Sequence, residues 1–397
     1  VKLKTLITAT ALGLIMAGPV MAIDVKIGVL NDRSGVYADL SGEGSVIAAQ
    51  MAIEDFGAAE KGINVEIVSA DHQNKPDVAS TIARQWYDQD GVDAIFDVPT
   101  SSAALAVHEI TREKDKIFIN SGAAASEITG TQCSPNTVHW TYDTWALANG
   151  TGSAMVQTGA DTWYFLTADY AFGHALERDT MAVVEAMGGE VLGTVRHPFP
   201  GQDFSSFLLQ AQASGAKVIG LANAGGDTVN AIKQAAEFGI TQGGQALAGL
   251  LIFITDVDAL GLQTAQGLVL TESFYWDLND ETREWSARFQ ERRNAKPTMV
   301  QAGVYAGVLH YLKAIEATQS TDADTVMAEM KATPTSDPLF GEGEVRADGR
   351  KVHDMYLFRV KSPEESTGEW DYYELVATIP ADSAFRPLAD GGCELVQ

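Results

Sequence analysis

Six short stretches carry residues whose types and spacing could hold a small molecule. Asp32-Arg33-Ser34-Gly35-Val36-Tyr37 offers a turn glycine and an aromatic wall in Tyr37. Thr100, Ser101 and Ser102 set three hydroxyls in a row at a helix start, where they can cap the helix, hold a carboxylate, or do both. Asn120-Ser121-Gly122-Ala123-Ala124-Ala125-Ser126 is built of small residues that let backbone N–H groups approach a ligand. Leu221-Ala222-Asn223-Ala224-Gly225-Gly226 repeats that chemistry later in the chain, beside Ala168-Asp169-Tyr170-Ala171-Phe172-Gly173 and Phe274-Tyr275-Trp276. Aromatic walls facing small polar loops make a pocket with a few orienting groups. Any one of these aromatics could instead be core, but turn residues surround Tyr37 and Tyr170.

Motifs for bond-making chemistry are absent. There is no G-x-S-x-G elbow, no GxxxxGK[ST] phosphate loop and no H-E-x-x-H, and Gly42-Glu43-Gly44 lacks the third glycine of a dinucleotide fingerprint. The seven histidines (72, 108, 139, 174, 197, 310, 353) show no ligand spacing and read as surface or capping residues. Pairs such as Asp88/Asp90 and Asp277/Asp280 read as ordinary acidic loops. The expectation is therefore a binding protein rather than an enzyme, with no metal and no cofactor.

The elements that must position these loops alternate. Strands are expected at 25–30, 63–68, 93–98 and 116–120, with helices between them at about 42–56, 77–89 and 102–113. In the first helix Val46, Ala49, Ile53 and Phe56 recur on one face, and Ser41 stands at its N-cap. The rhythm breaks at 134–143. It restarts with a helix at 144–158, strands at 162–167, 190–195, 217–221, 247–252 and 267–272, and intervening helices at 172–187, 203–213 and 227–238. Alternating β and α elements with short connections give parallel sheets covered by helices. Three consecutive helices (280–294, 299–318, 322–331) and two strands (352–360, 371–379) close the chain. The fold class is thus α/β, two doubly wound parallel-sheet lobes joined by a multi-strand hinge. Residues 23–140 with 273–350 make one lobe, 141–272 with 351–380 the other, and 381–397 a tail. Such lobes enclose a cleft that can close on a ligand.

Residues 1–22 read as a secretory signal peptide: basic Lys2 and Lys4, an apolar run to Ala17, and a cut expected after Ala22. No later stretch is apolar enough to insert in a membrane, so the mature chain is expected in the periplasm. With 27 basic and 53 acidic residues the formal charge is −26, which disfavours nucleic acid and favours a soluble monomer. Cys133 and Cys393 are an even pair that export would allow to form one disulfide, two buried free thiols being the alternative.

Taken in order, the leader, VKIGVL-x-x-x-SG-x-Y, the Thr100–Ser102 trio, NSGAAAS, ADYAFG and LANAGGD resemble the type I periplasmic binding proteins of the leucine/isoleucine/valine class. These are receptors of ABC importers, and the resemblance covers nearly the whole mature chain. It implies that Thr100, Ser101, Ser102 and the backbone of Ser121, Gly122, Ala123 and Ala124 grip a ligand carboxylate, and that Tyr170 faces the ligand. It also implies an ABC permease in the inner membrane as partner. A sensor presenting its ligand to a membrane kinase or chemoreceptor would need the same lobes. Amino-acid-binding members add a second-lobe acid for the ammonium, but here Phe253 or Ile254 falls at that place, with Asp256 the nearby acid. Asn223-Ala224 stands where a tyrosine is frequent. An organic or aromatic acid without an ammonium therefore fits at least as well as an amino acid, with Phe253 as an apolar far wall.

Overall fold

The computed structural model describes residues 22–396. The expected leader, apart from Ala22, lies outside them. Five parallel strands form the first sheet in the order β2-β1-β3-β4-β5: β1 (Ile23–Asn31), β2 (Ile63–Asp71), β3 (Ala94–Asp97), β4 (Ile117–Asn120) and β5 (Thr137–His139). Every residue of β3 and β4 is buried, as expected for central strands covered on both faces. Because β1 pairs with both β2 and β3, the loops after β1 and β3 run to opposite sides and leave a crevice at the carboxyl ends of the strands.

The second sheet repeats the plan in the order β7-β6-β8-β9, with β6 (Thr162–Ala168), β7 (Glu190–His197), β8 (Val218–Ala222) and β9 (Ala246–Gly249). Its switch point lies between β6 and β8, which places the Tyr170 and Asn223–Gly225 loops at one crevice. A separate antiparallel sheet joins β10 (Val269–Glu272), β14 (Met355–Val360) and β15 (Tyr373–Ile379); a small sheet joins β11 (Thr335–Asp337), β12 (Gly341–Val345) and β13 (Lys351–Val352). The last strands are thus antiparallel, because β14 and β15 follow one another through a single loop with no crossover helix.

Several local expectations change. The segment 134–143 is no mere break, since β5 forms the sheet edge there and pairs Phe118 with Thr137. The helix expected at 144–158 is interrupted by a wide turn at Ala148–Gly152, where Gly150 lies against Thr271 and leaves no room for a side chain. The strand expected at 352–360 is split at His353-Asp354, where the chain crosses between sheets. Ser41 does precede the helix Gly42–Phe56, but its hydroxyl donates to Asp97 at 2.6 Å instead of capping that helix.

The helix Met299–Thr318 is buried along most of its length and packs Gly303 against Thr141 and Gly307 against Ile119. Thr298 and Gln301 close a capping box at its start. The preceding helix, Asp280–Arg293, is tied to the helix Gly42–Phe56 by Arg288–Asp55 and Arg292–Glu54 pairs. The crossing segments are stitched together. His139 N–H donates to Gly349 at 2.8 Å, and His353 Nε2 lies 2.9 Å from the Thr141 carbonyl. Cys133 and Cys393 are bonded, with Cα atoms 5.6 Å apart, so the tail is fastened beside the loop that precedes β5.

Of the seven histidines only His174, paired with Asp169 and with a side chain 41% exposed, lies at the surface. His72, His108, His139, His197, His310 and His353 are buried, and burial pushes all six imidazoles below their ordinary range. Four of them fasten loops through Nε2: to the carbonyls of Gln132, Ala123, Met330 and Thr141.

Candidate functional site

The crevices of the two sheets face each other and enclose a pocket walled by Tyr37, Leu40, Pro99, Gly122, Ala124, Tyr142, Tyr170, Phe172, Ala224, Leu251 and Phe253. It holds about 220 Å³ of atom-free space, but only about 10 Å³ of that admits the centre of a water molecule. The cleft is therefore closed. The hydroxyls of Tyr37 and Tyr170 hydrogen-bond across it, and Gly226 N–H donates to the Val36 carbonyl at 3.1 Å. Tyr170 stacks on Phe199 with ring centroids 4.0 Å apart, which fixes the ring against the second lobe. Burial pushes the phenols of Tyr37, Tyr142 and Tyr170 upward, so all three remain neutral donors.

A second set of contacts crosses between the lobes away from this pocket. Ser126, in the loop after β4, donates to Asp179 at 2.7 Å, and Arg178 reaches Ser126 Oγ at 2.8 Å and also pairs with Glu127. Asp179 and Arg178 lie on the helix Ala171–Ala186, which follows β6.

The structure places the expected residues unevenly. Tyr37, Gly122, Ala124, Tyr170, Ala224 and Phe253 line the pocket. Ser101 Oγ accepts the N–H groups of Ala124 (3.3 Å) and Ala125 (3.2 Å), so it holds the small-residue loop in shape. The Ala123 N–H goes to Asn120 Oδ1 at 2.9 Å. Thr100 donates to Asn74, whose amide passes to Asp32 at 2.5 Å, and Asp32 accepts the Tyr37 N–H at 2.9 Å. That chain of polar contacts makes Thr100 a support of the Tyr37 loop. Ser102 is half-buried in the first helical turn. Ser121 faces Asp97 at 3.4 Å, behind the wall. Gly122 packs against Pro99, where a Cβ would come within 2.7 Å of the Pro99 Cα.

Thr100, Ser101, Ser102, Ser121 and Ala123 thus do not themselves line the pocket, and Asn223 and Trp276 are turned away from it. Asn223 turns into the second lobe, donating to His197 Nε2 at 3.1 Å and accepting from Thr228 at 2.7 Å, so both ends of its amide are engaged. The Trp276 indole N–H donates to the Trp370 carbonyl at 2.8 Å, which holds the ring on the antiparallel sheet. Sequence reasoning missed Leu40, Pro99, Tyr142, Phe172 and Leu251. Of these, Tyr142 carries a polar group, and its hydroxyl donates to the Gly122 carbonyl at 2.6 Å.

Among the described residues no acid lines the pocket. Asp256 accepts the Phe253 N–H at 3.0 Å, and burial pushes its carboxyl up to about 7. Asp227 accepts the Gly201 N–H, and burial raises it to about 7 as well. Glu272, also raised by burial, accepts from Tyr373 at 3.1 Å. By contrast, three helices begin at the wall: Ser101–Glu113 after Pro99, Ala171–Ala186 after Tyr170, and Gly226–Glu237 after Ala224. Their first turns present N–H groups and partial positive charge. No cluster of three or more His, Cys, Asp or Glu among the described residues has the arrangement to hold a metal ion. Among the described residues no helix is long and apolar enough to cross a membrane.

Two α/β lobes closed over a small pocket define a solute receptor. The chain belongs to the periplasmic binding protein family, whose sequence profile matches residues 24–368. Within that family it is a solute-binding protein of the ABC-transporter type, in the leucine/isoleucine/valine class. A periplasmic binding protein from Burkholderia mallei is 52% identical and superposes with a TM-score of 0.92, over 94% of this chain and 99% of that one. A branched chain amino acid ABC transporter periplasmic ligand-binding protein from Burkholderia xenovorans LB400 is 43% identical, with a TM-score of 0.84 over 94% and 100% of the two chains. The Leu/Ile/Val-binding protein homolog 6 of Brucella melitensis is 26% identical over 377 residues, which cover 92% of this chain and 94% of the relative.

Proposed function

We propose that this receptor closes on a small carboxylate lacking an ammonium group, an aromatic or branched organic acid, and delivers it from the periplasm to an ABC permease in the inner membrane. In this reading residues 1–22 are the export leader, the mature protein is a monomer, and the ligand leaves chemically unchanged. One observation carries the choice of ligand: three helix N-termini converge on an apolar, aromatic-walled pocket whose lining contains no acid. Helix N-termini stabilise a carboxylate. A buried ammonium with no anion beside it would cost several kcal/mol, which Phe253 and Leu251 cannot offset. The little free space left between the closed walls limits the ligand to a small acid. Closure then follows from the ligand's greater affinity for the closed lobes.

The test is a thermal-shift screen of the mature protein after unfolding and refolding to remove carried-over ligand. The panel pairs leucine with its 2-oxo acid and phenylalanine with phenylpyruvate, and adds benzoate and 4-hydroxybenzoate. A ligand at about 100 times its dissociation constant stabilises by ~2.7 kcal/mol. Stabilisation by acids lacking an ammonium supports the proposal. Stabilisation by amino acids alone rejects it.

A further inference from the structure

We propose that the C-terminal tail from Ala381 to Cys393 is a strap across the hinge that biases the lobes toward closure, with the Cys133–Cys393 bond as its clasp and Arg386 as its positioning residue.

The strap begins on the second-lobe side. The Ala381 N–H donates to Asp354 Oδ1 at 2.9 Å, just before β14, and the Asn149 amide donates to the Ser383 carbonyl at 3.0 Å. Here the antiparallel sheet belongs with the second lobe, because its Leu270, Phe358 and Val360 share a core with Leu166 and Leu221. Phe385 then lies on the segment that crosses between the sheets. Its ring centre is 4.5 Å from the Arg350 guanidinium carbon and 5.2 Å from the His353 ring centre. The strap ends on the first lobe. Arg386 Nη2 donates to the Ser126 carbonyl at 3.1 Å, and the Arg386 carbonyl accepts from Arg346 Nη1 at 2.9 Å. Gly130 fits beneath it for want of a side chain: a Cβ there would come within 2.7 Å of Arg386 Nη2 and 2.9 Å of the Gly391 carbonyl oxygen. Beyond these contacts Cys393 bonds Cys133 in the same loop.

Ser126 is where the strap meets the cleft. Its hydroxyl donates to Asp179 and accepts from Arg178, both of the second lobe, while its carbonyl is held by Arg386. One residue thus answers to the strap through its backbone and to the opposite lobe through its side chain. Holding the carbonyl orders the residue in advance, so less freedom is lost when the hydroxyl meets Asp179. A tail that only covered the first lobe would need no anchor at Asp354 or Asn149. Closure satisfies both ends of the strap and the Ser126 contacts together, and opening must loosen one or the other. The strap therefore acts on the open–closed equilibrium itself. It rests on the closing motion of the proposed function and not on the chemistry of the ligand.

Hydrogen exchange of the refolded, ligand-free mature protein tests the strap. The Gly226 N–H is bonded to the Val36 carbonyl across the cleft, so its exchange reports opening. Arg386→Met, and separately the double variant Cys133→Ser with Cys393→Ser, should speed that exchange about fivefold or more, because a charge-assisted contact or its clasp is lost. Arg386→Lys should restore part of the protection, since an ammonium can still donate to the carbonyl. Arg84→Met, which breaks a surface pair with Glu113 instead, should leave exchange at the parent rate. If the serine variant misfolds by circular dichroism, Arg386→Met decides alone. A tail that is merely fastened would lower the melting temperature and leave Gly226 exchange unchanged, and that result overturns the strap. So does a parent Gly226 amide that exchanges as freely as in an unfolded chain. A failed search for cleft ligands leaves this measurement intact, so the two proposals fail separately.

Discussion

Gly225→Ala isolates the energetics of closure. Gly225 sits in the second-sheet loop after β8 with φ of +56°, and an added Cβ would fall on the Val36 carbonyl oxygen and 2.9 Å from the Tyr37 ring. Val36 and Tyr37 belong to the loop after β1, in the opposite lobe, so that clash exists only when the lobes meet. The substitution has two costs. Left-handed φ for alanine costs ~1 kcal/mol in open and closed forms alike. Overpacking against Val36 and Tyr37 costs ~1–3 kcal/mol in the closed form alone. Ligand affinity should therefore fall by roughly 5- to 150-fold, since ~1.4 kcal/mol is a factor of ten. Gly91→Ala is the control, with φ of +71° and no atom within 4 Å of the added Cβ; it should lose stability without losing affinity. Titration calorimetry reads the affinity, and small-angle scattering reads a larger radius of gyration for Gly225→Ala. An affinity within about twofold of the parent and an unchanged radius would refute the closed-cleft geometry, and so would an equal affinity loss in Gly91→Ala.

Other consequences can be measured on the same protein. Ser126→Ala removes contacts to Asp179 (2.7 Å) and Arg178 (2.8 Å) across the lobes, and should weaken ligand binding by ~3- to 30-fold although Ser126 does not line the pocket; unchanged affinity would show that these contacts persist in the open form. Reducing the Cys133–Cys393 bond, which spans 260 residues, should lower stability by roughly 3–5 kcal/mol, or Tm by about 5 °C; an unshifted melt under reductant would show that the tail is held by other contacts. Burial raises the Asp256 carboxyl to about 7, above its unfolded value, so it favours folding below about pH 4 and this contribution is lost as pH rises through 7. Asp256→Asn should therefore gain stability relative to the parent between pH 4 and 7, by up to about 4 kcal/mol, and level off above; a constant difference between denaturant melts at pH 5 and pH 8 would contradict this.

The architecture was legible where physics imposes a pattern. Stretches such as Ile117–Asn120 are buried on both faces and can only be central parallel strands, and turn glycines mark where they end. What escaped notice lacks such a pattern. Three residues, Thr137–His139, form the edge strand β5, and no periodicity is visible in three residues. The buried histidines carry no spacing signal, because their partners are set by the tertiary fold, as with His139 and the distant Ala123 carbonyl. At the pocket, the turn-flanked Tyr37 and Tyr170 stood out, whereas Leu40, Phe172 and Leu251 are wall residues identical in type to core. Asn223 offered ligand-like chemistry, but its partners His197 and Thr228 are set by tertiary structure. Thr100 and Ser101 were conspicuous as hydroxyls, yet they support the walls through Asn74 and the Ala124 and Ala125 N–H groups.

The central claim is that the pocket takes a carboxylate and has no place for an ammonium. Calorimetric titration of the refolded protein with leucine and with its 2-oxo acid, alongside phenylalanine and phenylpyruvate, tests it with ligands that differ at one carbon. Measurable binding of at least one oxo acid, with its amino acid weaker by about a hundredfold or more, is the predicted result. Tighter binding of the amino acid in either pair would contradict it, and would require an acid to reach the ligand past Phe253 and Leu251.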